Sequence, residues 1–190
     1  KSAYDLVYEA DRPEIFFKAN AARVADPGTA VAIRGDSTWD VPEPELALVL
    51  TSAGELAGFT IGNDVSSRSI EGANPLYLPQ AKVYDRCAGL GPVIALAWEI
   101  DDVLNKAIGL SIHRNGAQVF TGATSTNQIH RTLADLIAYL FRNNAHPRGA
   151  ILMTGTGIVP DAPFTLEHGD QVTITIEGIG TLVNPVIRLA

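Results

Sequence analysis

The chain has 190 residues, is 46% hydrophobic and carries a formal net charge of −7. The length supports one sizeable core, read here as a single domain over 1–190. The apolar share excludes a disordered chain, and the acidic balance, with Lys and Arg scattered singly, argues against a nucleic-acid partner. One cysteine, Cys87, excludes internal disulfides and fits a reducing cytoplasm. No signal peptide and no apolar run of membrane-spanning length stand out, so no membrane partner is expected. The chain opens on Lys1 rather than Met, which reads as the C-terminal part of a longer protein.

In chain order, LALVLT at 46–51 and AGFTIG at 57–62 read as strands joined by a turn at Ala53-Gly54. Asp64 is a good N-cap, which predicts a short helix over 64–71. VIALA at 93–97 reads as a buried strand, and Asn115-Gly116, between LSIHR and AQVFT, is a strong hairpin signal. Ile129, Leu133, Leu136, Ile137, Leu140 and Phe141 recur at helical spacing and predict a helix over 129–143, with caps at Thr124, Ser125 or Thr126. Strands follow at 150–154, 171–177 and 185–189. With few helices and no βαβ alternation, the fold class is α+β and β-rich, built on a mixed sheet.

The chemistry concentrates early. In VPEPELALVL the prolines argue against helix, so Glu43 and Glu45, at i and i+2 of an extended segment, project to one face. Adjacent carboxylates repel unless a cation or a proton lies between them. Asp64, after the next strand, can complete an all-oxygen site for Mg²⁺, Mn²⁺ or Ca²⁺. The competing reading is a solvent-facing strand edge. Lys82, in NPLYLPQAK, is either a surface lysine or a group that binds an anionic substrate or stabilises a leaving oxygen. Glu14 and Lys18, in DRPEIFFK, are either surface residues or, respectively, a base held near the core wall and a substrate-binding lysine. TGTGIVP at 154–160 can present backbone N–H groups to an anion, but it has neither a phosphate-loop Lys nor dinucleotide-fingerprint spacing. All four histidines lie after residue 110 without zinc spacing, G-x-S-x-G is absent, and Cys87 reads as buried rather than nucleophilic.

Taken together and in order, PEPELALVL, GFTIGNDVSSRSI, AKVYDRCAGLGPVI, STNQIHRTLADLIAYL, LMTGTGIVP and EHGDQVTITIEGIGTLVNPV resemble the catalytic domain of the fumarylacetoacetate hydrolase family. The resemblance implies a mixed β-sheet roll with few helices. It implies a divalent metal, Mg²⁺ first, held by Glu43, Glu45 and Asp64, with Lys82 as the active-site lysine. It also implies substrate contacts at Thr156 and at Arg68, the arginine that follows the metal aspartate.

Two departures stand out. Family hydrolases carry a catalytic histidine ahead of the E-x-E strand, and this chain has none there. The family's T-G-T-P-x-G-V-G is TGTGIVP here. SSRSIEGANPLYLPQAK and DRPEIFFKAN resemble a sugar-acid dehydratase branch, which puts Glu14 forward as the base. The implied reaction converts a 2-keto-3-deoxy sugar acid, such as 2-keto-3-deoxy-D-arabinonate, to 2,5-dioxopentanoate through a metal-stabilised enolate. The same site also suits an acylpyruvate or fumarylacetoacetate-type C–C hydrolase, or an oxaloacetate decarboxylase. The non-enzyme alternative is an idle metal-stabilised domain. The resemblance further implies a homodimer or homotetramer.

Overall fold

The structure is a computed structural model that describes residues 10–190. Among the described residues, twelve strands form two five-stranded sheets and one two-stranded ribbon. The first sheet combines β1 (Val24–Ala25), β7 (Ala88–Leu96), β5 (Leu56–Asp64), β4 (Pro44–Leu50) and β10 (Ala150–Met153), in that spatial order. The second combines β2 (Val31–Ile33), β12 (Gly180–Arg188), β11 (Gln171–Ile176), β8 (Ala107–Arg114) and β9 (Ala117–Ser125). Each sheet is mixed: β1 runs parallel to β7 and β2 parallel to β12, while the other neighbours are antiparallel. The ribbon pairs β3 (Asp40–Val41) with β6 (Ser66–Ser67).

One apolar cluster joins the sheets, uniting Leu46, Leu48 and Ile61 of the first with Leu110, Ile112, Ile174 and Leu182 of the second. Each such fully buried side chain stabilises the fold by about 1.5–3 kcal/mol. β4 is apolar without alternation because both of its faces are covered, as its almost uniformly buried residues show. The expected hairpin joins β8 to β9, with Asn115 and Gly116 both left-handed, at φ 52° and 81°. β10 pairs with β4 directly after Gly149, whose φ of 76° and contact with the Leu50 carbonyl leave no room for a Cβ.

Three sequence expectations are corrected. Asp64 does not cap a helix: its N–H donates to Glu43 O and it stays in β5. The short helix α1 spans Arg68–Ala73, and its first turn is capped by Ser67, whose Oγ accepts from Ile70 N. The strand expected at 93–97 is the end of the longer β7, and Val93 and Ile94 are 53% and 54% exposed rather than buried. A second short helix, α2 (Leu78–Lys82), follows α1. The long helix, α3, spans Leu133–Phe141 rather than 129–143, because Thr132 Oγ1 accepts from Asp135 N and starts it late. Upstream, Thr126–Gln128 forms a separate 3₁₀ turn capped by Ser125. Among the described residues, no helix is long and apolar enough to cross a membrane.

Candidate metal centre

The centre is assembled where β4 and β5 run side by side. Glu43 N donates to Asp64 O at 3.2 Å and Asp64 N donates to Glu43 O at 2.9 Å, so the two backbones are locked face to face just ahead of β4 and at the end of β5. Glu45 lies two residues further along, on the same side as Glu43, as the i, i+2 spacing requires. One carboxylate oxygen from each of Glu43, Glu45 and Asp64 lies within 4.8 Å of the others. The three residues are only 5%, 4% and 4% exposed, which rules out the reading as a solvent-facing strand edge.

Charge decides what such a cluster needs. Burial, then Asp64 and Glu43, push the Glu45 carboxyl up to about 8, although the Gly155 N–H opposes this. Burial also raises Glu43 above the ordinary carboxylate value despite Lys82. Burial works in the same sense on Asp64, but Lys18 and Lys82 outweigh it and hold that carboxyl below its ordinary value. Three buried oxygen donors on one face, one of them retaining its proton near neutrality, fit a hard divalent cation.

Lys82, the last residue of α2, sends Nζ to Glu43 Oε2 at 2.5 Å, Ser66 Oγ at 2.5 Å and Asp64 Oδ2 at 3.3 Å. Burial works against its ammonium, but Asp64 and Glu43 outweigh it, so Lys82 stays charged well above its ordinary pKa. The Phe16 ring lies 5.9 Å from Nζ. Lys18, 8% exposed, pairs with Asp64 Oδ1 at 2.6 Å and donates to Val65 O at 2.8 Å and Lys82 O at 2.5 Å. Arg68 Nη1 lies between Glu71 Oε2, at 3.3 Å, and Glu43 Oε1, at 3.7 Å.

The T-G-T segment docks onto β4. Thr154 donates both N–H and Oγ1–H to Leu46 O, and Gly155 N donates to Glu45 Oε2 at 2.6 Å. Thr156 sits next to that contact, with its hydroxyl folded onto its own loop: Oγ1 donates to Ile158 O and accepts from Ile158 N. Glu14 is exposed and has no hydrogen-bond or ion-pair partner among the described residues, so the expected burial against the core wall is not found. Cys87 is buried, as expected.

Sequence reasoning missed Ser66, Gly155, Phe16 and Glu71. Ser66 was findable, because it stands two residues after Asp64 and shares its face in an extended chain. For Gly155 the sequence offered a backbone N–H to an anion within 154–160, but nothing local named that anion as Glu45, 110 positions away.

The fumarylacetoacetate hydrolase C-terminal family model matches residues 5–187. The chain is 53% identical over 183 residues to a Haloferax volcanii protein described as a probable 2-keto-3-deoxyxylonate dehydratase, covering 96% of this chain and 63% of that one. It is 50% identical over 186 residues to the 2-dehydro-3-deoxy-D-arabinonate dehydratase of Saccharolobus solfataricus, covering 98% and 62%. The chain thus spans a little under two thirds of the length of these relatives. A solved structure of 2-keto-3-deoxy-D-arabinonate dehydratase complexed with magnesium and 2,5-dioxopentanoate superposes with a TM-score of 0.97 at 49% identity, covering 100% of this chain and 67% of that one. With the model matched almost end to end and the E-x-E, aspartate and lysine positions gathered in one buried centre, this chain belongs to the fumarylacetoacetate hydrolase family.

Proposed function

We propose that this chain carries the catalytic centre of a magnesium-dependent hydro-lyase acting on a 2-keto-3-deoxy sugar acid, with 2-keto-3-deoxy-D-arabinonate as the model substrate and 2,5-dioxopentanoate and water as products. The observation that carries the reading is the buried Glu43–Glu45–Asp64 cluster with Lys82 seated on two of its members. The identity of about half to dehydratases over nearly the whole chain narrows the reaction class.

Glu43, Glu45 and Asp64 would hold the ion, Mg²⁺ or in its place Mn²⁺ or Ca²⁺. When bound, it supplies a Lewis acid for the substrate's carboxylate and keto oxygens, which acidifies the C3 hydrogens. Lys82, fixed as an ammonium, is a hydrogen-bond donor and counter-charge to the anionic substrate, not a base. The base must therefore be another group, and Glu14 is the carboxylate we assign to it. Its segment already reaches the centre through Phe16 and Lys18. Glu14 takes the C3 proton, the C4 hydroxyl takes a proton from Lys82 or from a water and departs as water, and tautomerisation of the resulting C3–C4 alkene with the C5 alcohol gives the aldehyde. To Thr156, whose loop touches Glu45, and to Arg68, which lies 3.7 Å from Glu43, we assign contacts with the remainder of the substrate.

The reading extends to a cytoplasmic homodimer or homotetramer, for which the exposed Val93 and Ile94 of β7 and Ile151 of β10 offer apolar surface. The test is turnover of the full-length protein with Mg²⁺ on 2-keto-3-deoxy-D-arabinonate, beside acetylpyruvate and oxaloacetate. Formation of 2,5-dioxopentanoate, abolished by EDTA, supports the hydro-lyase. Cleavage of acetylpyruvate or release of CO₂ from oxaloacetate, with the sugar acid untouched, replaces it with the hydrolase or decarboxylase.

A further inference from the structure

Lys18 entered as a substrate-binding lysine, but its surroundings give it a different task. An ammonium has three N–H donors. Those of Lys18 are matched by three acceptors: Asp64 Oδ1 at 2.6 Å, Val65 O at 2.8 Å and Lys82 O at 2.5 Å. The group is almost wholly buried, and its Nζ lies 5.7 Å from the centre of the Tyr84 ring, whose hydroxyl donates to the same Val65 carbonyl at 3.1 Å. Two of these acceptors are backbone carbonyls fixed by the fold, whereas the three acceptors of Lys82 are all side chains, so it is Lys82 and not Lys18 that can turn a donor towards a substrate.

The three acceptors belong to three parts of the centre. Asp64 is a candidate ligand at the end of β5. The Val65 carbonyl marks the junction between β5 and β6. The Lys82 carbonyl closes α2, among the terminal carbonyls that a helix cannot satisfy internally. One ammonium thus ties the carboxylate of one functional residue to the backbone of another. Its own backbone is held in turn, since Cys87 Sγ donates to Lys18 O at 3.5 Å.

We propose that Lys18 is a positioning residue. It fixes the rotamer of Asp64 and the end of α2, and through them the spacing between the metal ligands and the Lys82 ammonium. It does not bind the sugar acid. The task needs an ammonium in particular, because a planar guanidinium cannot direct its fork of donors at three acceptors arranged around a point. The catalytic part of this proposal rests on the hydro-lyase reading, and the metal part does not.

The experiment uses full-length protein with Lys18→Met and Lys18→Arg, and with Lys18→Gln as the replacement should the methionine variant fail to fold, judged by melting. Mn²⁺ affinity is measured calorimetrically without substrate, and kcat and KM are measured with Mg²⁺ on 2-keto-3-deoxy-D-arabinonate. The expected result is Mn²⁺ affinity weaker by about 10–100-fold and kcat lowered by a similar factor, the range for losing a group that orients a ligand, with KM near wild type. Lys18→Arg, although it keeps the charge, should not restore either. Unchanged Mn²⁺ affinity, or a rise in KM at near-normal kcat with recovery in Lys18→Arg, overturns the proposal and returns Lys18 to substrate binding. If the unmodified protein does not turn over the sugar acid, the hydro-lyase reading fails and the Mn²⁺ arm still decides the positioning role.

Discussion

The backbone N–H of Gly155 donates to Oε2 of Glu45 at 2.6 Å and joins residues 110 positions apart. The loop after β10 therefore aims a candidate ligand carried by β4. Gly155 adopts φ 92°, where an L side chain is strained although the space around it is open. Gly155→Ala should cost roughly 1–2 kcal/mol in stability, read as a lower Tm. It should also weaken Mg²⁺ binding severalfold by releasing Glu45, which titration calorimetry would show.

Metal binding should depend on pH through Glu45. Its carboxyl, raised to about 8 by burial and then by Asp64 and Glu43, must lose its proton to serve as a ligand. Apparent Mg²⁺ affinity should rise as pH approaches 8 and level off above it. Near neutrality, proton release on binding is checked by calorimetry in buffers of different ionisation enthalpy. The sign for the metal-free protein is the opposite. A folded-state pKa above the unfolded value of 4.5 gives stability that is full below that value and lost as pH rises through about 8. Glu43 acts in the same sense, and Asp64, with its lowered pKa, in the other.

Asp40 makes the same argument away from the centre. It is fully buried in β3, and neither Oδ1 nor Oδ2 has a hydrogen-bond partner among the described residues. Burial raises its pKa, with Asp36 acting in the same sense, against Ser37, Arg188 and Arg34. The raised value means that stability is lost as pH climbs through it. Asp40→Asn should raise Tm by a few degrees at mildly alkaline pH and gain little in acid. An equal gain at both ends of the range would contradict the assignment.

Glu14 and Lys82 should separate chemistry from assembly. Glu14→Gln should leave Mg²⁺ affinity and Tm unchanged, because the side chain is exposed and unpaired among the described residues, while turnover is lost. Lys82→Met should also abolish turnover. Unlike the first variant, it should destabilise the metal-free protein by about 3–5 kcal/mol, since Glu43 and Asp64 lose a buried partner. Mg²⁺ should recover part of that loss, visible as a larger metal-induced rise in Tm than in the unmodified protein.

The parts legible in the sequence are those where local pattern and tertiary role agree. The E-x-E spacing places Glu43 and Glu45 on one face whatever the remainder of the chain does, and Asn115-Gly116 dictates its own turn. The misreadings arise where a residue had two local options and a distant partner chose. Asp64 has the chemistry of a helix cap, but Lys18, 46 positions away, and Glu43 hold it in the sheet. The same applies to Lys18, which looks like any solubilising lysine until its three acceptors are assembled. β7 reads as buried because it is apolar, yet its Val93 and Ile94 face outward, a distinction that composition cannot make.

The paired backbone hydrogen bonds between Glu43 and Asp64 give the centre its mechanical character. Two candidate ligands locked together in this way can move apart only where the sheet itself unzips. Amide exchange at Glu43 and Asp64 should therefore follow global unfolding rather than local breathing. The irregular segments 13–20 and 154–158 are held to the same frame, the first through Lys18 and the second through Thr154 and Gly155. The centre is thus an anvil whose edges are riveted to it, and a variant that loosens either rivet should blunt metal binding before it unfolds the sheet.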